Sequence, residues 1–460
     1  MWSMLYYLRN DPERIKWSQK MRGEDISIVN KAVEYDKKWR KIMRELDELR
    51  HKRNTITREI ARTKDPERRK KLIEEARKLS SMLGELEKEA RTIAELRDKY
   101  LLSIPNVIHE NVPPGASEEE NVPVYFYGKP KVWEGFLELF KSQIGDFKIE
   151  YEVVEEKPLS HYELGYSLGL VDTERAAKVA GSRFFYLYQD LVWLDIALVL
   201  YAIDQLTRKG YMLVLPPYMM NRKAYSGVIS LEDFRDSIYK IEEEELYLIA
   251  TAEHPLAAMF MNEVLEEKEL PLRLVGVSPC FRKEAGAHGK DTKGIFRVHQ
   301  FNKVEQFVFS LPETSWQLHE ELLENAMDLW RRLEIPFRTV NVCAGDLGAV
   351  AAKKYDLEAW MPGQGRFREM VSCSNCTDYQ SYRLNIRYAE KRGYPAKGYV
   401  HTLNSTAIAT TRAITAILEN YQLENDIVEI PKVLRPYLEC FKHAPREYIY
   451  PLKKAPFKVH

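Results

Sequence analysis

Charged side chains inside apolar, period-two segments are the residues best able to do chemistry in this chain. Residues 274–281 and 297–309 both alternate in the manner of β-strands. Arg282 and Glu284 nevertheless close the first, and Arg297 and Glu305 sit within the second. A charge on a sheet face needs a partner, or a ligand that supplies one. Thr251 and Glu253 end a third apolar run (246–254), Glu369 lies in a fourth (367–372), and Arg412 follows a fifth (399–403). Arginine gives planar, two-pronged contacts to phosphate oxygens, and a carboxylate can hold Mg2+ against a polyphosphate. Together Arg282, Arg412, Glu369, Glu253 and Glu305 describe a site for an ammonium group, a carboxylate and a polyphosphate.

Several other chemistries are excluded. There is no phosphate loop: around Gly289-Lys290, Glu284 stands where the first glycine belongs and Asp291 follows the lysine. There is no Gly-x-Gly-x-x-Gly after a strand, so any nucleotide is expected to bind through arginine and sheet. Cys373 and Cys376 have zinc-knuckle spacing, but Cys280, Cys343 and Cys440 are scattered singly, so ordinary buried or loop cysteines are expected. Lys plus Arg equals Asp plus Glu, 69 each, so bulk charge names no partner. Five cysteines suit a reducing compartment. No run of about 18 apolar residues is present, so no membrane span is expected. The N-terminal stretch lacks the features of a leader, and a cytoplasmic protein is expected.

The elements that must position these residues are legible from periodicity. Tyr35, Trp39, Ile42, Leu46, Leu49, Ile56 and Ile60 step by threes and fours, broken only at Arg53, and Leu72, Leu79, Leu86, Ile93 and Tyr100 recur every seven residues. Asp65 and Pro66 between the runs suit a helix start. The spacing predicts an antiparallel two-helix hairpin over about 35–101, each helix about 45 Å long. Between Arg50 and Lys71 there are ten Lys or Arg and three acids, so the tip is basic. Arg50, Lys52, Arg53, Arg58, Arg62, Arg68, Arg69 and Lys70 are its candidate RNA contacts, of the sequence-insensitive phosphate-backbone kind. Residues 103–124 hold four prolines and an acidic run and mark a boundary, giving domains at 1–110 and 111–460. The second mixes hairpin-linked strands and helices: an α+β body on a mostly antiparallel sheet. Residues 190–209 form a helix apolar on most faces, suited to a core or a partner subunit.

In these motifs the chain resembles the class II aminoacyl-tRNA synthetases. Phe281-Arg-Lys-Glu284 with Phe296-Arg-Val-His-Gln-Phe301 is similar to their motif 2, Thr410-Thr-Arg412 to motif 3, and residues 190–217 to the dimer-forming motif 1. Thr251-Ala-Glu253, Val304-Glu-Gln306, Glu369-Met-Val-Ser372 with Cys373-Ser-Asn375, His401-Thr-Leu-Asn404 and the N-terminal arm narrow the resemblance to the seryl-tRNA synthetase family, with an archaeal cast.

The resemblance implies ATP-dependent activation of L-serine, transfer to tRNA(Ser) and tRNA(Sec), ATP and Mg2+ as cofactors, and a homodimer. It implies Arg282, Arg412 and Glu369 as catalytic residues. Lys283, Glu284, Val298, Phe301, Met370, Val371 and Ser372 would join them around ATP, with Glu369 and Ser372 on the metal. Thr251, Ala252, Glu253, Arg282, Glu305, Asn404 and Thr406 would hold serine, Glu305 and Thr406 at its hydroxyl. The loop at 285–294 would guide the tRNA acceptor end.

Overall fold

Heptad-spaced apolar residues build two helices, α1 (Ser27–Arg62) and α2 (Pro66–Leu102). Their seam buries Ile42, Leu46, Leu83 and Ala90, the narrow stripe that holds a coiled-coil pair together. Tyr35 stacks on Tyr100 with centroids 5.5 Å apart, and Arg97 lies 4.4 Å over the Trp39 ring. At the opposite end, Asp65 accepts the Glu67 N–H at 3.0 Å and Pro66 opens α2, so a capped start sets the turn. The helices run 36 and 37 residues, about 55 Å each at 1.5 Å per residue. α1 begins at Ser27, before the first heptad residue, because Val29 and Ala32 are buried as well.

In the computed structural model, which describes residues 3–229, 236–284 and 293–452, the chain divides into Trp2–Val107 and Ile108–His460. The second unit is built on one sheet of eight strands: β1 (Val122–Tyr127), β2 (Met212–Val214), β3 (Leu272–Phe281), β4 (Gln300–Ser310), β5 (Phe337–Asn341), β6 (Lys353–Met361), β7 (Arg366–Thr377) and β8 (His401–Ala409). Their order is β1-β5-β6-β7-β8-β4-β3-β2, antiparallel throughout except for β3 beside β2. The core joins β4, β6 and β8 to three helices, α3 (Asp190–Arg208), α4 (Ser315–Arg332) and α5 (Thr410–Asn420), through residues such as Val304, Leu357, Leu403, Leu198, Trp330 and Ile414. No helix of the described residues is long and apolar enough to cross a membrane.

Three local expectations change. The run 246–254 is a strand only over Leu246–Leu248, and Glu253 instead starts the short helix Glu253–Ala258. Arg297, Val298 and His299 precede β4. Residues 122–124 of the proline-rich boundary are already strand: β1 pairs with β5, where proline is tolerated at a sheet edge. The tail forms a two-residue strand, Tyr448–Ile449, against Val428–Glu429.

Candidate active site

Strand alternation does the first part of the positioning. Phe301, Lys303 and Glu305 of β4, Asn404 and Thr406 of β8, and Ser372, Ser374 and Cys376 of β7 line a cavity of about 520 Å³, with Glu253, Arg282, Lys354, Glu369 and Arg412 around them. The intervening Val304, Leu403, Val371 and Cys373 go to the core. Gly276, in mid-β3 opposite Glu305, makes room for the helix that carries Glu253. A Cβ at Gly276 would stand 2.9 Å from the Ala252 Cβ and 2.8 Å from Leu256 Cδ1. That approach is too close for any residue but glycine.

The charged residues form two groups. In the first, Arg412 Nη1 donates to both the Glu369 carbonyl and its Oε1 at 3.0 Å. Burial would raise the Glu369 carboxyl, but Arg412 and Lys354 together hold it well below the usual range. Beside it, burial pushes the Asp356 carboxyl up against the pull of Lys354. Lys354 Nζ donates to the Asp346 carbonyl at 3.2 Å and lies 3.6 Å from Asp356. Arg282 donates to the Ala250 carbonyl at 3.2 Å, and its guanidinium sits 5.2 Å from the Phe301 ring. Its backbone is fixed on both sides by His299: the Arg282 N–H donates to the His299 carbonyl at 2.9 Å, and His299 Nδ1 lies 2.7 Å from the Arg282 carbonyl. An aromatic face beside Arg282, with Arg412 lining the same cavity, suits a flat, phosphate-bearing ligand.

The second group is a pair of carboxylates in different settings. Glu305 Oε2 lies 2.6 Å from Lys303 Nζ, both side chains being buried, and Thr406 donates to it at 3.5 Å. Glu253 instead accepts from the Gln380 side-chain amide at 2.9 Å, while its backbone N–H donates to Thr251 Oγ1 at 3.2 Å. Burial, and then the neighbouring Glu305, push the Glu253 carboxyl up to about 7 against Lys303, Gln380 and Arg282. Burial also holds the adjacent His254 near 3, so that imidazole is neutral. The Asn404 amide donates to Cys376 Sγ at 3.4 Å.

The cavity thus gathers Thr251, Glu253, Arg282, Glu284, Phe301, Glu305, Glu369, Met370, Ser372, Asn404, Thr406 and Arg412. Four expected neighbours of the ligand do not line it. Val298 and Val371 belong to the core, and Ala252 is buried beneath the helix it precedes. Val371 turns away because it alternates with Ser372 and Ser374, which line the cavity. A register shift between Leu357 and Glu358 bulges β7 at Met370 and returns Glu369 to the cavity side, while Met370 borders the cavity from the core. The Lys283 Nζ lies 5.8 Å from the Tyr239 ring instead. Glu284 lines the cavity with its carboxylate held by Arg297 at 3.1 Å. Cys373 and Cys376 point to opposite faces of β7, one toward the His319 carbonyl and one toward Asn404, so they share no ligand. The expected loop at 285–294 lies outside the described residues except for Lys293 and Gly294.

Lys303, Lys354 and Gln380 escaped the sequence reading, and Cys376, expected to be an ordinary cysteine, lines the cavity. A signal existed for Lys303: it stands between Phe301 and Glu305, on the face of the strand that carries the candidate site residues. Gln380 carries no such mark, being a neutral residue in a short helix after β7.

On the hairpin, Arg50 is half-buried and paired with Glu87 at 2.9 Å, and Arg68 is paired with Glu59 at 2.7 Å. Arg53 is half-buried, its guanidinium 3.4 Å from Asn54. Lys52, Arg58, Arg62, Arg69 and Lys70 are exposed.

Comparison with known proteins agrees with this geometry. Residues 5–108 match the seryl-tRNA synthetase N-terminal domain, and residues 237–421 match the class II tRNA synthetase core domain for G, H, P, S and T. The chain is 58% identical to the serine–tRNA ligase of Hyperthermus butylicus over 98% of its own length and 99% of the relative's. It is 58% identical to that of Archaeoglobus fulgidus over 98% and 100%. Among solved structures, the seryl-tRNA synthetase of Pyrococcus horikoshii complexed with ATP superposes with a TM-score of 0.90 at 53% identity, covering 98% of this chain and 99% of that one. The cytoplasmic serine–tRNA ligase of Naegleria fowleri in complex with AMP gives 0.80 at 37%, covering 96% of each. The chain belongs to the seryl-tRNA synthetase family of class II aminoacyl-tRNA synthetases.

Proposed function

We propose that this protein activates L-serine with ATP and transfers it to the 3′ end of tRNA(Ser), and of tRNA(Sec), in the cytoplasm. The observation that carries the reading is the pairing of unlike carboxylates in one cavity. Glu305 already has its cation in Lys303, so it suits a neutral hydroxyl shared with Thr406. Glu253 has only an amide on it, so it suits an ammonium group, with Thr251 beside it. A ligand with both groups on adjacent carbons fits this pair, and its carboxylate is left to face Arg282.

In this reading the serine carboxylate attacks the α-phosphorus of ATP, the bond to the β-phosphate oxygen breaks, and pyrophosphate leaves. Arg282 neutralises the charge gathering on the α-phosphate and Arg412 the departing phosphates, while Phe301 supports the adenine. Such a displacement needs positioning and charge neutralisation more than a covalent helper. Glu369, with its carboxyl kept ionised, and the Ser372 hydroxyl have the hard oxygen donors that Mg2+ takes alongside phosphate. Bound there, Mg2+ would neutralise phosphate oxygens. A ribose hydroxyl of the tRNA then attacks the adenylate carbonyl and AMP leaves.

Residues 1–110 serve as the tRNA-binding part, with the basic hairpin end as the phosphate contact, and residues 111–460 as the aminoacylation part. A homodimer is supported by the outer face of α3, the sheet-edge strand β2 and the residue after it, which expose Val192, Ile196, Leu200, Met212, Leu213 and Leu215. Serine-dependent exchange of pyrophosphate into ATP, with threonine and alanine run beside it, tests the function. Exchange with serine alone is expected: alanine would leave the buried hydroxyl-pairing site unpaired, and threonine, which keeps the hydroxyl, is excluded by the shape of the pocket. No exchange with serine in the presence of Mg2+ overturns it.

A further inference from the structure

Glu305 is held by a cation, whereas no ion pair among the described residues holds Glu253. What holds Glu253 is a short polar chain. Thr402 Oγ1 donates to Gln380 Oε1 at 2.7 Å, and Gln380 Nε2 donates to Glu253 Oε1 at 2.9 Å. Thr402 and Gln380 are fully buried. Thr402 lies on β8 two and four residues before Asn404 and Thr406, and so on their face of the sheet.

The direction of this chain carries information. A hydroxyl both donates and accepts, so Thr402 can satisfy either end of the Gln380 amide. An ionised carboxylate only accepts, so the nitrogen of Gln380 must face Glu253 while Glu253 is charged. An amide donating in that direction favours the charged carboxylate, because an ionised oxygen accepts a hydrogen bond more strongly than a neutral one. The groups facing Glu253 are Glu305 and Lys303 from β4, Arg282 after β3, Cys376 from β7 and Tyr225 from the helix Arg222–Val228. Glu305 opposes its charge, and Gln380 is the neutral donor that favours it.

We propose that Gln380, steadied by Thr402, is a positioning residue of the amino-acid pocket, aiming Glu253 at the substrate ammonium and keeping it ionised to receive it. The inference rests on the serine-activating reading above. Full-length Gln380→Ala, Gln380→Glu, Thr402→Val and Thr402→Ser proteins would be compared with the parent in serine-dependent ATP–pyrophosphate exchange. With Gln380→Ala the KM for serine is expected to rise roughly 10- to 100-fold, the range for loss of a bond to a buried charge. The KM for ATP should stay within about twofold. Gln380→Glu should move the acid limb of kcat/KM for serine to higher pH. Thr402→Val should raise the serine KM by a smaller factor, and Thr402→Ser should restore it.

A folded Gln380→Ala protein with an unchanged serine KM, or one in which both KM values rise together and the pH profile stays put, overturns the proposal. Should Gln380→Ala fail to fold, Thr402→Val decides alone: a serine-selective rise supports the proposal and an unchanged serine KM overturns it. Absence of serine-dependent exchange in the parent protein would contradict the functional reading itself, a different result from a parent that exchanges and a variant that does not respond.

Discussion

Arg62 and Arg69 at the end of the hairpin stand in solvent with the neighbouring Lys52, Arg58 and Lys70, whereas Lys303, Glu305 and Glu253 in the cavity are each held by a specific partner. The two regions use charge in opposite ways. Exposed cations act together, through a field screened over about 10 Å of salt solution. Any one of them contributes little to the fold. Buried charges act one by one, because removing a partner leaves the other uncompensated in a medium that solvates it poorly. Loss of a cavity residue should therefore show as a large, specific defect. Loss of a hairpin residue should show as a graded and salt-dependent one.

The contrast is sharpest at Arg282. Arg282→Ala should lower kcat/KM for exchange about 1000-fold, as for other groups that stabilise developing charge. Its thermal midpoint should barely move; a loss under tenfold would place the anion elsewhere. Next is Lys303→Met, which leaves Glu305 buried and alone. It should lower unfolding free energy by about 3–5 kcal/mol, measured by denaturant titration, and a change near zero would mean that Lys303 and Glu305 do not depend on each other.

Glu253 breaks the symmetry in another way, since its folded carboxyl is raised from 4.5 to about 7. The native protein keeps a proton that the unfolded chain loses as pH rises from 4.5 to 7, so this group's contribution to stability falls across that window. Glu253→Gln should accordingly be more stable than the parent above pH 7 by about 1–3 kcal/mol, with the gap closing near pH 4.5. Equal stability at both pH values would show that the carboxylate is well solvated. For the same reason the parent's kcat/KM for serine should decline below about pH 7, while a flat profile would remove Glu253 from the ammonium site.

The same difference explains what the sequence disclosed. The hairpin was legible because heptads and a capping Asp65 are local patterns, and its charge can be counted along the chain. Arg282, Glu305, Glu369 and Arg412 were legible because a charge in an apolar strand is conspicuous, and all four meet in one cavity. Motif likeness alone puts Val371 and Val298 beside the ligand. The packing of the core decides their direction, and that packing is not written in neighbouring residues. Gln380 was invisible for a related reason. It is brought to Glu253, more than a hundred positions away, by the fold alone.

The central claim, that the hairpin's charge serves the tRNA and the cavity's charge serves the activation step, is tested most directly with the Arg62→Ala, Arg68→Ala, Arg69→Ala triple variant. Both exchange and tRNA charging would be measured across a salt series. The claim predicts that exchange is unchanged while charging weakens and its log–log salt slope drops by up to about three. A parallel fall of exchange and charging would contradict it, making the hairpin a support for the catalytic fold.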